Sequence, residues 1–149
     1  MVRAKVKRAD YERAAYLAWN AFVELVSDPV KGMSRLQLDV AEAFLYENEV
    51  QNGGHLQYFE NHGRERGQNA VQALGRLGLT CHQKVLQEAI ETWGSEKRKP
   101  VETAEDYSEI ALQGEFDHSD GAYHACAPDM QEHLERILAT HFDEFIELV

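Results

Sequence analysis

The sequence is short of positive charge. Fifteen Lys and Arg stand against twenty-six Asp and Glu, a formal net charge of −11 over 149 residues. Phosphate binding needs a basic footprint, which argues against direct contact with nucleic acid and makes a basic protein surface the better electrostatic match. Cysteine is also scarce. Cys81 and Cys126 stand far apart without Cys-x-x-Cys spacing, which reads as two reduced thiols in a cytoplasmic protein. No window approaches 18 apolar residues, so no helix is expected to span a membrane. The basic start, Met1 to Arg8, lacks the apolar core of a signal peptide. Repeats, low-complexity tracts and convincing strand patterns are missing too.

The motifs of common chemistry are equally absent. The sequence holds no G-x-G-x-x-G, no G-K-[ST] and no H-E-x-x-H. Asp117, His118, Asp120, His124 and Cys126 match no metal-ligand spacing, and Cys81-His82 is only a pair of sequence neighbours. His133 and His141 are eight apart, but His141 falls on an apolar arc, which suits a partly buried, hydrogen-bonded ring. Ser34, Ser95, Ser108 and Ser119 have no nucleophile-elbow context. The expectation is therefore a non-enzyme with no catalytic residue, no cofactor and no metal.

What is present is helical. With 44% hydrophobic and 28% charged residues, the composition is globular, and the length suits one domain with a useful core. The periodicity predicts an all-α single-domain bundle of about six to eight helices over residues 9–149, preceded by a basic tail, 1–8. A first helix covers about 9–27, until Pro29 and Gly32 interrupt it. Ser34 suits the N-cap of a second, 35–51. Shorter helices follow at about 54–62, 67–77 and 82–93. Gly75, inside one of them, suits a place where another helix passes closely. Gly94 to Pro100 reads as a link, Thr103 as a cap, residues 116–127 as a turn, and Pro128 as the opening of a last helix, 129–148.

On a helical wheel of 35–51, Leu36, Val40, Ala43 and Phe44 share one face, while Arg35, Asp39, Glu42 and Glu49 oppose them. Glu47 falls among the apolar residues, where a carboxylate is costly unless it accepts hydrogen bonds. The amides of the following Asn52-Gly53-Gly54 turn are the expected donors. Those glycines break the helix and tolerate positive φ. Gln57 and Asn61, four apart on the next helix, are placed to let their amides meet.

Charge is unevenly spread. Residues 1–13 balance at +3, residues 14–101 at −2, and residues 102–149 at −12, where Arg136 faces thirteen acids. In a continuous last helix, Asp129, Glu132, Glu135, Asp143, Glu144 and Glu147 form an outward stripe roughly 27 Å long. Glu102, Glu105, Asp106 and Glu109 would add to it. Such a face also serves solubility without any partner.

The stretch Glu49-Val50-Gln51-Asn52-Gly53-Gly54, with Gln57, Tyr58, Phe59 and Asn61, resembles the core of the acidic DNA-mimic protein family, a helical domain otherwise described as of unknown function. Ala70, Ala73, Leu74 and Gly78 look like a later segment of that family, and Phe116, Asp117 and Tyr123 are loosely similar to its acidic-aromatic stretch. The resemblance covers about 35–149, with His55 standing where an aromatic or apolar residue is expected. It implies Glu47, Glu49, Asn52, Gly53, Gly54, Gln57 and Asn61 as structural motif residues. It also implies a dimer that imitates duplex DNA toward a basic DNA-binding protein such as a transcription factor. Glu105, Glu109, Asp129, Glu132, Asp143 and Glu147 are the expected contact residues. An acidic immunity or antitoxin-like inhibitor shares the charge logic. A small-ligand site near Glu47, Asn52, Gln57 and Asn61 is the third reading.

Overall fold

A computed structural model describes residues 1–94 and 98–149. The expected link at Gly94 to Pro100 therefore falls in part, at 95–97, outside the described residues. In chain order the elements are β1 (Ala4–Val6), α1 (Arg8–Arg13), α2 (Tyr16–Ser27), α3 (Arg35–Arg76), α4 (Thr80–Trp93), α5 (Ala104–Leu112), α6 (Asp117–Ala125), α7 (Met130–Thr140), α8 (Phe142–Phe145) and β2 (Ile146–Leu148). The fold is helical, as the periodicity predicts, apart from one very small sheet. The backbone groups into two compact units. One holds Met1–Leu45 with Pro128–Val149, the other Tyr46–Ala127.

In the first unit, the expected basic tail is a strand. β1 pairs in parallel with β2, Ala4 opposite Ile146 and Val6 opposite Leu148. The pairing continues past the strands, with the Val149 amide donating to Val6 O and the Arg8 amide to Val149 O, each at 2.9 Å. A three-residue strand has no local signal of its own, and its partner lies at the other end of the sequence. That partner also corrects the last helix. α7 stops at Thr140, His141 leaves helical geometry at φ −120° and ψ 35°, and the chain turns through α8 into β2. His141 is thus exposed, not tucked against an apolar arc. Phe145 and Ile146 are fully buried by this route, with Phe145 edge-on to Phe22 at 5.0 Å. The first expected helix is likewise divided, at Ala14, into α1 and α2.

Ser34 caps α3 as expected, and Gln37 completes the box. The Gln37 amide donates to Ser34 Oγ at 3.2 Å, and the Ser34 amide donates to Gln37 Oε1 at 2.8 Å. Gln37 does more than cap. It is fully buried, and its Nε2 donates to Val2 O at 2.6 Å and Glu144 O at 2.7 Å. One amide thus joins the start of α3, the approach to β1 and α8. Asp39, expected on the outer face, is only 3% exposed, beside Arg35 at 3.7 Å.

In the second unit, α3 is not one straight helix. Gly53, Gly54 and Gly63 leave helical geometry, dividing residues 46–76 near the expected places. Gly75 is crowded by the side chain of Gln83, whose Nε2 donates to Val71 O at 3.1 Å, so α4 does approach there. Within residues 116–127, where a turn was expected, Asp117–Ala125 form α6. The two cysteines are not free thiols. Cys81 and Cys126 are disulfide-bonded, with Cα atoms 5.9 Å apart, because α4 packs against α6. Closing a loop of 45 residues stabilises by roughly 4 kcal/mol in the chain-entropy picture.

Gln37→Ala leaves two carbonyls and the Ser34 amide without their donor or acceptor. It is expected to lower the stability of the first unit by about 2–3 kcal/mol, read from denaturant unfolding; a loss below 0.5 kcal/mol would contradict the joining role.

Candidate functional site

The Asn52-Gly53-Gly54 break sets the geometry of the second unit. Gly54 sits at φ 74° and ψ −173°, a region that only glycine visits readily. A Cβ built there would lie 2.5 Å from Asp120 Oδ2, so the missing side chain also makes room for a carboxylate. Asp120 Oδ1 accepts two hydrogen bonds from His55, the backbone amide at 2.9 Å and ring Nδ1 at 2.7 Å. The first is an unpaired N–H at the start of a helical segment, the position that favours an anion.

His55 is fully buried. Its second ring nitrogen, Nε2, meets the Tyr46 hydroxyl at 2.6 Å. With Nδ1 donating to Asp120, a neutral ring leaves Nε2 to accept the Tyr46 proton. Burial pushes the Tyr46 hydroxyl well above its ordinary pKa, helped by Tyr58, Asp120 and Glu47, so that proton is kept. Burial alone would raise the Asp120 carboxyl. The hydrogen bonds from the His55 ring and amide bring it below its ordinary value all the same. Around the pair, Tyr46 meets Tyr58 and Tyr123 edge-on at 5.2 and 5.3 Å. Phe59 stacks on Trp93 at 5.3 Å, and Arg98 covers the same indole at 4.0 Å.

The motif carboxylates hold other parts of the corner. Glu47 does point inward, but its donors are the Tyr123 hydroxyl and Gln51 Nε2, not the turn amides. Asp120 has taken that role. Gln57 and Asn61 do not bind each other; both donate to Glu49 Oε2, at 3.2 and 2.8 Å, across the break. His62 Nε2 lies 3.5 Å from the other oxygen. Asn52 is exposed. The space beside the corner amounts to about 70 Å³, lined among others by Gly53, Leu56, Tyr107, Phe116 and Asp120. That is room for two or three waters, well below the ~300 Å³ of a small-molecule site. None of Glu47, Asn52, Gln57 and Asn61 lines it.

The four expected contact carboxylates of the last stretch do not share one helix, because it breaks at His141. They belong to the first unit, Glu105 and Glu109 to the second. Asp129 is consumed as the α7 cap, accepting from the Glu132 amide at 2.9 Å. Glu132 pairs with Arg136 at 2.9 Å, and Glu147 faces Arg3 at 3.6 Å. Asp143 is exposed, but the break at His141 removes it from the α7 face. On α5 the picture differs. Thr103 caps it, taking the Asp106 amide at 3.0 Å, while Asp106 takes the Glu102 amide at 3.3 Å. Glu105 and Glu109, four apart and exposed, have no ion-pair partner among the described residues. α5 buries none of its residues fully. The Tyr107 pKa is raised, first by burial and then by the charges of Glu60, Asp120 and Glu49, so this side of the unit is negative over more than the helix itself.

Residue-by-residue reading missed His55, Tyr46, Asp120 and Tyr123 as a network. A polar residue at an apolar motif position was the available signal for His55. Nothing local announces Asp120, 65 residues away.

A family model described as DMP19-like protein matches residues 31–143, well over half of the chain. No curated protein and no solved structure matches it. The match corrects the resemblance drawn from the Asn-Gly-Gly core: one specific family replaces a broad acidic DNA-mimic group with a domain of unknown function, and the span is 31–143 where 35–149 was expected.

Two outcomes follow from the corner. Gly54→Ala places a side chain in glycine-only backbone and against Asp120, and should cost at least about 1–3 kcal/mol; unchanged thermal unfolding would show that the corner relaxes freely. Because the folded-state pKa of Asp120 is lowered, its stabilising contribution is present above the ordinary carboxylate value of 3.8 and is lost as pH falls through the lower folded value. Wild type should therefore lose more stability than Asp120→Asn across that acid window. Parallel acid-unfolding curves would refute the assignment.

Proposed function

Since the chain belongs to the DMP19-like protein family, we propose that it is a non-enzymatic, DNA-mimic-type regulatory protein. It occupies the DNA-binding surface of a basic partner, with a transcription factor as the partner class. The observation that carries this reading is the open charge on α5. Glu105 and Glu109 are exposed and have no countercharge among the described residues, whereas Glu132 and Glu147 already sit beside arginines. A basic partner gains most from carboxylates that have no internal cation to give up.

The net charge of −11 supports the same reading through long-range steering. Charge density sets a requirement. Glu105 and Glu109 are about 6 Å apart along the helix, whereas duplex DNA carries one charge per about 1.7 Å of its axis. The partner must therefore respond to a wider field, to which Glu60, Glu102 and Asp117 contribute, and which a homodimer would extend. The cytoplasm is the compartment this reading assigns, as the one shared with transcription factors. The non-enzymatic part rests on accessibility. The polar network that looks most like catalytic machinery, Tyr46–His55–Asp120, has its histidine and tyrosine fully buried and is consumed in holding the corner.

The test is capture of basic proteins from native lysate, followed by competition with duplex DNA. Bound partners should be released by DNA and by salt. The Glu105→Gln, Glu109→Gln double variant should bind about tenfold more weakly at low salt and show a flatter salt dependence. A partner that holds DNA and this protein together would overturn the mimic reading. If Glu132→Gln, Asp143→Gln, Glu147→Gln abolishes binding while the α5 variant binds normally, the surface has been misassigned.

A further inference from the structure

We infer that Cys81–Cys126 is a thiol–disulfide switch that sets how firmly α6 holds the α3 corner. The bond joins α4 to the C-cap of α6, and its two ends are unequally reachable. Cys81 is an exposed residue, while Cys126 is 4% exposed.

That asymmetry directs the chemistry. A thiolate of a dithiol reductant attacks Cys81 Sγ; the Sγ–Sγ bond breaks, and Cys126 leaves as a thiolate that takes up a proton. The second thiolate of the reductant then attacks its own sulfur in the mixed disulfide. Cys81 is released as a thiolate and protonated, and the reductant ends as a disulfide. Two electrons pass from the dithiol to the cystine.

The consequence follows from where the bond holds α6, at its C-terminal end. It is nine residues long with Gly121 at its middle, too short and too flexible to persist without tertiary anchors. Its anchors lie along its length. Phe116, at the N-cap, packs between His55, Phe59 and Trp93. Asp120 binds His55, Tyr123 binds Glu47, and Cys126 is tied to Cys81. Removing the last anchor frees the turn that carries Tyr123, and the grip of Asp120, one turn earlier, loosens with it. The oxidised protein therefore has a stiff corner and the reduced protein a labile one. The switch acts within the second unit and does not depend on which partner the acidic surface meets.

The experiment treats native protein with dithiothreitol, follows thiol alkylation by mass, and compares amide hydrogen exchange before and after. The cystine should be reduced without denaturant. Exchange should then rise about tenfold or more over residues 120–126 and at His55 and Leu56, with β1, β2 and α2 unchanged. A cystine that resists reduction until the protein is unfolded, or reduction that leaves α6 exchange unaltered, overturns the inference. The Cys81→Ser, Cys126→Ser double variant should reproduce the reduced pattern without reductant; exchange like that of the oxidised protein would overturn it too. If that variant does not fold, the wild-type chain reduced in place decides the question.

Discussion

A fully buried imidazole constrains everything around it. His55 has two ring nitrogens and a backbone amide to satisfy away from water, and it meets Tyr46 on one side and Asp120 on the other. For Tyr46 and His55 to face each other, α3 must bend between them, which requires Gly53 and Gly54. For Asp120 to reach the bend, α6 must form and pack beside it, although Gly121 and its short length disfavour a helix. The aromatic rings of Tyr58, Phe59, Phe116 and Tyr123 then enclose the network.

Eight acidic residues fall into three physical groups, and composition alone cannot separate them. Glu47, Glu49 and Asp120 face inward and are hydrogen-bonded by neutral or imidazole donors. Asp129, Glu132 and Glu147 lie in the first unit and are engaged by a helix terminus or an arginine. Glu105 and Glu109 stand open on a helix with no fully buried residue. The same formal charge therefore holds a corner, caps a helix, or projects a field, depending on which donors lie within reach.

The first unit closes on contacts between chain ends. Its strands pair residues more than 140 positions apart, and Gln37 links both strand regions to the start of α3. Contacts of such sequence separation are costly to form in an unfolded chain and leave no trace in local composition.

Local rules were therefore legible and distant ones were not. Ser34 and Thr103 were readable as caps, Gly53 and Gly54 as a stop, and the apolar spacing as helices, because a cap or a turn involves residues within four positions of each other. Gln57 and Asn61 were readable as one face, but not as two donors to Glu49, since their acceptor lies across a bend whose angle the residues alone do not state. The strands, the break at His141, the α6 helix, the cystine and the Asp120–His55 bond escaped for one reason: in each, a partner far away in sequence overrides a weak or contrary local preference. The Asn-Gly-Gly stretch was determined by the sequence to be a corner. Only the tertiary structure decided that Asp120, not Glu47, fastens it, because hydrogen-bond partners are chosen by distance in space and not along the chain.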